Sequence, residues 1–437
     1  MKRPLILAAL LSLALLHPAH GADDLANEIN AAYAPSEHLY LDLHAHPELS
    51  GHETQTASKL ADGLRSLGFK VTTAVGRTGV VGILTNGPGP TVLLRTELDA
   101  LPLEEKTNLP YASKVHAKDA NGLDTFVMHA CGHDVHMAAW MGTARIMASS
   151  RERWSGTLVL IAQPAEETLS GAGWMLADGL LTRFPRPDFA LAVHDDPRLP
   201  AGLVGYHAGP ILSNSDTLKV TIYGAGGHGA RPETTIDPVV IAARTVVTLQ
   251  TIVSREISPS DAAVVTVGYM HAGAKANIIP AEARIDLSVR SLTPEVRAHL
   301  LKSIERIVKA EALAGGATRE PTIERIDGAN AMVNDADLTR RLAGVLEREL
   351  GKERVVDLGP QMASEDFSRF PENGIPSVML QIGSVEPDKF AAAKASGTQL
   401  PSLHSPFFAP DREPTIKTAI AAEVITLREL MAPKARP

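Results

Sequence analysis

Residues 157–167, TLVLIAQPAEE, join an apolar run to two adjacent carboxylates. Thr157 to Gln163 is almost entirely aliphatic, which is typical of a strand buried on both faces of a sheet. A helical pattern from His136 to Ser149 precedes it, and the short apolar run Phe189 to Val193 follows. Because apolar strands alternate with helical segments here, the sequence predicts an α/β fold.

The same pattern continues outward in both directions. Predicted elements on the amino-terminal side are a helix at Ser58–Leu67 and strands at Val80–Leu84 and Thr91–Arg95. On the carboxyl-terminal side they are a helix at Ala336–Leu350, a strand at Ser377–Ile382 and a helix after Pro414. A mixed-sheet α/β domain is therefore expected from residues 22–212 together with residues 328–437.

Residues 213–327 have a different pattern. Their predicted order is β-α-β-β-α-β, with strands at Thr217–Tyr223, Ala263–Tyr269, Arg284–Val289 and Pro321–Ile326 and helices at Pro238–Arg255 and Pro294–Ala314. This order is the split βαβ unit of ferredoxin-like domains. We expect it to be a separate domain inserted into the α/β domain.

Composition limits the classes of function. The chain has 437 residues with 42 Lys+Arg against 50 Asp+Glu, a formal net charge of -8, and no dense basic run. Nucleic-acid binding and a polybasic membrane contact are disfavoured.

The first 21 residues have the pattern of a secretory signal peptide. Lys2 and Arg3 precede an apolar run from Leu5 to Leu16, and Ala19-His20-Gly21 is a small-x-small cleavage site. We expect an exported protein, periplasmic or secreted, without a membrane anchor, whose mature chain starts near residue 22.

Potential metal ligands are concentrated in a few short segments. Cys131, the single cysteine, and His133 are two residues apart, and thiolate and imidazole suit zinc and neighbouring transition metals. Glu166 and Glu167 follow a predicted strand, so one can bind metal while the other acts as a general base. His194, predicted directly after a strand, and His404 complete five donors (Cys131, His133, one Glu, His194, His404), enough for two metals if one donor bridges.

The chain resembles the hippurate hydrolase and auxin-conjugate hydrolase branch of the aminoacylase–carboxypeptidase metallopeptidase superfamily. The resemblance covers nearly the whole mature chain, through motifs at residues 43–50, 94–102, 128–136, 163–167, 226–230, 277–280, 365–367 and 403–406.

This resemblance implies the role of each site residue. Cys131 bridges two divalent metals, which are Zn, Mn, Co or Ni, and the other ligands are His133, Glu167, His194 and His404. Glu166 is the general base that activates a metal-bridging hydroxide and then protonates the leaving amine.

The resemblance also implies roles outside the metal ligands. His228, in the inserted domain, stabilises the oxyanion in a partner subunit's site, so that the inserted domain serves as a lid and the chain forms a homodimer. Asn277 and Arg290 hold the substrate's carboxylate. Asp99, Asp134 and His136 orient the ligands, and His44 and His46 are structural.

Three departures from the family pattern bear on substrate preference. Asp195-Asp196 follow His194 where the family has small or apolar residues, Glu233 stands where it often has His, and Ala363-Ser364 stand where it usually has Gly-Gly.

The expected activity is hydrolysis of the amide bond of N-acyl amino acids. An exported metallo-dipeptidase or carboxypeptidase is the alternative within the superfamily. Two others are a cysteine hydrolase with Cys131 as nucleophile and a non-catalytic protein that binds a solute or metal.

Overall fold

The computed structural model describes residues 20–433. Its α-helices are α1 (His20–Ala45), α2 (Thr54–Ser66), α3 (His133–Ser149), α4 (Gly171–Ala177), α5 (Leu180–Arg183), α6 (Pro238–Thr251), α7 (Pro294–Ala314), α8 (Ala336–Leu350), α9 (Arg369–Glu372), α10 (Pro387–Ser396) and α11 (Arg412–Leu430). Its strands are β1 (Lys70–Val75), β2 (Gly79–Asn86), β3 (Thr91–Glu97), β4 (His116–Lys118), β5 (Asp124–Phe126), β6 (Gly156–Gln163), β7 (Phe189–Pro200), β8 (Val204–Tyr206), β9 (Gly209–Leu212), β10 (Asn214–Tyr223), β11 (Gly227–His228), β12 (Ala263–Ala272), β13 (Ile278–Ile279), β14 (Glu282–Ser291), β15 (Thr322–Ala329), β16 (Met332–Asn334), β17 (Val355–Asp357) and β18 (Ser377–Val385).

The larger sheet has eight strands in the order β1-β2-β6-β3-β7-β18-β8-β17. Strand β3 is parallel to β6 and β7, and β7 is parallel to β18, whereas β1, β2 and β6 pair in antiparallel fashion. Along β6, Leu158 and Leu160 face one apolar core while Val159 and Ile161 face another. Both faces of the sheet are therefore covered, which explains the unbroken apolar run in the sequence.

The smaller sheet has four strands in the order β12-β14-β10-β15, and helices α6 and α7 pack on it. The chain passes through them as β10-α6-β12-β14-α7-β15, which is the predicted βαββαβ order. Both helices start with an Asp or Thr cap followed by proline, at Asp237-Pro238 and Thr293-Pro294. The predicted fold class, a mixed-sheet α/β domain with an inserted ferredoxin-like unit, is confirmed.

The structure differs from the predicted elements in several places, and two of the differences concern the site and the main core. Strand β7 runs to Pro200, so His194 lies inside the strand and not after it. Helix α1 was not predicted, although Ile29, Ala32, Tyr40 and Leu43 are buried at helical spacing. Most of the predicted signal peptide, residues 1–19, lies outside the described residues and stays a prediction. Among the residues described, no helix has the length and hydropathy needed to cross a membrane.

Candidate active site

Five potential metal ligands from distant parts of the chain meet near the larger sheet. Cys131 lies in the turn before α3, and His133 is the first residue of that helix. Glu167 follows β6, His194 belongs to β7, and His404 lies in the loop before α11. The turn after β6 and the loop at His404 both use left-handed backbone, with φ of 49° at Ala165 and 63° at His404. Such conformations are costly for residues other than glycine and are concentrated at functional sites.

Cys131 lies at the centre of this group. Its Sγ atom is 3.6 Å from Nε2 of His194 and 3.3 Å from Nε2 of His404. The carboxylate of Glu167 lies near two of the histidines. Its Oε2 is 3.4 Å from Nε2 of His404, and its Oε1 is 4.0 Å from Nε2 of His133. The sulfur of Cys131 and the carboxylate of Glu167 therefore lie among the Nε2 atoms of three histidines.

The histidine rings are held so that Nε2 faces the group. Nδ1 of His133 contacts the carbonyl of Asp99 at 2.7 Å, and Nδ1 of His194 contacts the carbonyl of Asp195 at 2.8 Å. A carbonyl only accepts hydrogen bonds, so in the neutral rings Nδ1 carries the proton and Nε2 has a free lone pair. That tautomer is the one a metal requires.

The donor set fits divalent cations. Nε2 of His133 and Oε1 of Glu167 are buried and have no hydrogen-bond partner in the described part of the chain, which is costly unless a ligand satisfies them. Both residues belong with Cys131 to a group whose ligand atoms lie within 4.8 Å of one another. Burial and the charges of Glu167 and Glu166 raise the pKa of the Cys131 thiol well above its usual value, and a bound cation reverses that effect.

Glu166 lies beside the donor group. One of its carboxylate oxygens is 3.9 Å from Nε2 of His133, and the residue is 5% exposed. Burial, followed by the nearby charges of Glu365 and Glu167, raises the pKa of the Glu166 carboxyl well above its usual value. A carboxyl that can hold a proton at this position has the property that a general base and acid requires.

Three residues predicted to orient the ligands have different partners. Asp99 accepts hydrogen bonds from the backbone amides of Glu166 and Glu167, 3.0 Å away in both cases. His136 lies between two carboxylates, Glu97 at 3.0 Å and Asp195 at 2.9 Å.

Asp134, the third, contacts His44 at 2.6 Å and not a candidate ligand. His44 also contacts Glu105, so this residue of α1 is joined to α3 and to the segment after β3, in keeping with the structural role predicted for it.

A buried ionic network beneath Glu166 was not foreseen. The guanidinium of Arg95 contacts Glu97 and is 2.6 Å from Glu365 and 3.2 Å from Asp366, and the guanidinium and all three carboxylates are buried. The motifs at residues 94–102 and 365–367 contained these residues, but nothing in their spacing indicated that they meet.

The residues predicted to contact substrate separate into two places. Arg290, on β14, lines the cavity that contains the donor group. His228 and Asn277 are exposed and adjacent: the β11–β13 pair aligns His228 with Ile278, and the amide of Gly229 donates to the carbonyl of Asn277. Neither is among the residues that line this cavity in the single chain.

The cavity has a volume of about 380 Å³. Four of the candidate ligands line it (Cys131, Glu167, His194 and His404), together with Glu166 and Arg290. Its other polar lining residues, to which the sequence assigned no role in the site, are Asp195, Gln361, Ser364, Glu365 and Gln381. A larger cavity, about 610 Å³, lies where the two sheets join, and no candidate ligand lines it.

Profile, sequence and structure comparisons relate the chain to known hydrolases and peptidases. The profile of peptidase family M20/M25/M40 matches residues 93–404. Hippurate hydrolase of Campylobacter jejuni is 38% identical over 76% of this chain and 83% of the relative. Thermostable carboxypeptidase 1 of Saccharolobus solfataricus is 36% identical over 75% of this chain and 80% of the relative. A dinuclear metal binding peptidase of family M20 from Bacillus subtilis superposes with a TM-score of 0.73 at 27% identity, covering 91% of this chain and 98% of the other.

Proposed function

Because this chain belongs to peptidase family M20/M25/M40 and is a metal-dependent amidohydrolase, we propose that it cleaves the amide bond of N-acyl amino acids. The observation that carries the proposal is the meeting of Cys131, His133, Glu167, His194 and His404 around one sulfur, with Glu166 beside them. A binding protein needs ligands but has no need of an additional buried carboxylate at this point.

We propose that the five donors hold two divalent cations, with Cys131 shared between them. Zn, Mn, Co and Ni all suit a mixed set of thiolate, imidazole and carboxylate. When bound, the cations polarise the amide carbonyl and increase the acidity of water.

Glu166 then has two proton transfers to perform. Its carboxylate takes a proton from the attacking water and delivers it to the amide nitrogen as the carbon–nitrogen bond breaks. The hydrogen bond from the Glu166 amide to Asp99 holds the backbone of the base in place. Arg290 is half-buried in the same cavity and offers its guanidinium to the carboxylate of the amino-acid half.

His228 can take part in the proposed reaction only if a second chain is present. It is exposed here, and its Nδ1 accepts only the amide of Ala230 in the same turn. Exposed apolar residues on the inserted unit, Val240 and Val247 on α6 and Met270 on the edge strand β12, supply a surface for dimerisation. We propose a homodimer through this unit, in which His228 of one chain stabilises the oxyanion in the other.

A metallo-dipeptidase or carboxypeptidase is the second candidate, which the similarity to the Saccharolobus carboxypeptidase favours. Export to the periplasm or the medium is part of the proposal and rests on residues 1–21.

The test is metal content of the purified protein together with hydrolysis of N-acyl amino acids and dipeptides, before and after chelation. We expect about two metals per chain and activity that chelator removes and metal restores. Hydrolysis of dipeptides in preference to N-acyl amino acids would favour the second candidate, and a metal-loaded protein without turnover would overturn both.

A further inference from the structure

Two glutamine side chains line the cavity beside the candidate ligands. Gln381, on β18, is 2% exposed, and no side-chain hydrogen bond involves it in the part of the chain that the structure describes. Buried amides are normally paired because an unpaired one loses the hydrogen bonds of water without replacement. The amide atoms of Gln381 are not among the fully buried ones, so they reach the cavity, and a ligand that displaces water there must either pair with this amide or leave it unpaired.

The second glutamine is held in a defined orientation. Nε2 of Gln361 donates to Oδ2 of Asp196 at 2.9 Å. The side chain of Arg198 also donates hydrogen bonds to both oxygens of Asp196, which holds the carboxylate in place. Since a carboxylate cannot donate, the amide nitrogen of Gln361 must face Asp196, and its oxygen remains available as an acceptor.

These amides lie next to the guanidinium that we propose for the substrate carboxylate. Nη1 of Arg290 donates to the carbonyl of Met362 at 2.9 Å and to Oγ of Ser364 at 2.8 Å. Gln361 directly precedes Met362 in the same segment and lines the same cavity. Gln361 is thus placed near the amino-acid half of the substrate, and Gln381, which pairs in register with His194 on the neighbouring strand, lines the same cavity.

The two acidic side chains beside the glutamines, Asp195 and Asp196, already contact basic side chains. Asp196 pairs with Arg198, and Oδ1 of Asp195 contacts His136 at 2.9 Å. Oδ2 of Asp195 has no partner among the described residues, but it is buried and so not open to a ligand. The hydrogen-bonding groups that these two glutamines offer to a ligand are neutral: the side-chain oxygen of Gln361, and the oxygen and NH₂ group of Gln381. A charged side chain would be desolvated here without a partner of opposite charge.

We propose that Gln361 and Gln381 form a subsite for a carboxamide side chain, so that preferred substrates are N-acyl derivatives of glutamine or asparagine. This inference rests on the proposed function. A carboxamide offers one acceptor and two donors, which match the free amide of Gln381 and the oxygen of Gln361. An apolar side chain leaves both amides buried and unpaired, and sites built to hydrogen-bond a substrate reject analogues that lack the group.

The experiment compares N-acetyl-L-glutamine with N-acetyl-L-methionine, which has similar length but no amide, in the metal-loaded full chain. We expect kcat/KM to favour the glutamine substrate by at least about tenfold. Gln381→Met and, separately, Gln361→Met should reduce that preference by about tenfold, mainly by slowing the glutamine substrate. Gln55→Met is the control, since Gln55 is exposed on α2, away from the cavity and from the inserted unit, and should leave both rates unchanged.

Measurements of ligand binding distinguish an error in the proposed subsite from an error in the proposed function. Dissociation constants for both ligands, measured on metal-loaded Glu166→Gln, do not depend on turnover. Equal affinity for the two ligands, or a preference that survives in both methionine variants, overturns the subsite. Tighter binding of N-acetyl-L-glutamine without turnover in the parent protein supports the subsite and overturns the proposed reaction.

Discussion

The carboxylate of Asp99 accepts a hydrogen bond from the backbone amide of Glu167, with Oδ2 3.0 Å from the amide nitrogen. Its other oxygen accepts the amide of Glu166 at the same distance, and its own carbonyl contacts Nδ1 of His133. One residue therefore sets the backbone of the proposed general base, the backbone of one candidate ligand and the tautomer of another.

Asp99→Asn should weaken metal binding. An asparagine has one acceptor oxygen, so its NH₂ group would face one of the two backbone N–H groups and displace Glu166 or Glu167. We expect metal affinity to fall by roughly 10–100-fold, the usual effect of losing a residue that orients ligands, as measured by titration of the metal-free protein. Asp119→Asn is a matched control, because Asp119 accepts the amides of Asn121 and Leu123 in an exposed turn. Equal losses in both variants would contradict the positioning role.

His133→Ala and His194→Ala should each lose bound metal. Both rings present Nε2 to the donor group, and removing either leaves the cations with fewer ligands. Metal content after dialysis measures the effect, with circular dichroism to verify folding. His46→Ala is the control, since His46 contacts only Asp42 and its side chain is 65% exposed. Full metal content in either site variant would refute the ligand assignment.

Glu166→Gln should abolish turnover and keep the metal. The amide has the shape of the carboxyl but cannot take up a proton, and general-base catalysis contributes about 10²–10⁴-fold. The measurement is kcat beside metal content. A variant with near-normal kcat would assign the proton transfers to another group.

The sequence predicted those features of the fold that depend on local periodicity. Helices α7 and α8 begin and end where their apolar spacing and caps indicated. Helix α1 was missed because its buried face includes small or polar residues such as Ala32 and Ser36, which weaken an apolar pattern. The position of His194 within β7 was missed because Asp195 and Asp196, which are buried through pairing with other side chains, look like the end of a strand.

Only part of the site could be read from short motifs. Cys131, His133 and the two glutamates stand out because thiol, imidazole and paired carboxylates have few other uses together. Gln361 and Gln381 do not, since a glutamine gives no chemical signal until the fold shows that its amide is buried in a cavity. The role of Asp99 was likewise only partly foreseen, because hydrogen bonds to backbone amides depend on the turn after β6 and not on residue type.

Glu423→Gln should stabilise the protein in neutral solution. Burial raises the pKa of the Glu423 carboxyl to about 8, against the opposing hydrogen bond from Thr143, and Oε1 has no partner among the described residues. Below about pH 4.5 the carboxyl is protonated in both folded and unfolded chains. Between about pH 4.5 and 8 the unfolded chain releases the proton while the folded chain keeps it, so stability falls as pH rises.

The Glu423→Gln variant has no carboxyl at this position and therefore does not lose stability in this way as pH rises. We expect its melting temperature to equal or nearly equal that of the parent below pH 4.5 and to exceed it increasingly up to pH 8, by a free energy of a few kcal/mol. Metal-free protein should be used at every pH, so that release of metal does not contribute. Glu413→Gln, on the exposed face of the same helix, is the control. A difference that is independent of pH would show that the Glu423 carboxyl has the same pKa in the folded and unfolded chains.

Gly132→Ala should reduce the stability of the folded protein far more than Gly122→Ala. The two glycines have nearly equal φ, 77° and 78°, so the cost of left-handed backbone, about 1–2 kcal/mol, is common to both. At Gly122 an added Cβ meets nothing within 4 Å, whereas at Gly132 it overlaps Oδ1 of Asp195 and lies 2.7 Å from its Cγ. Relief of that overlap must move either Asp195 or the turn that carries Cys131 and His133.

We therefore expect Gly132→Ala to lose at least about 2 kcal/mol more stability than Gly122→Ala, together with bound metal, as measured by thermal unfolding and metal content. Asp195→Ala removes the obstructing carboxylate. The cost of Gly132→Ala should accordingly be smaller in the Asp195→Ala background, toward the value at Gly122, because the two changes act on one contact and are not additive. If Gly132→Ala reduced stability equally with and without Asp195→Ala, glycine would be required at this position only because of its left-handed backbone conformation.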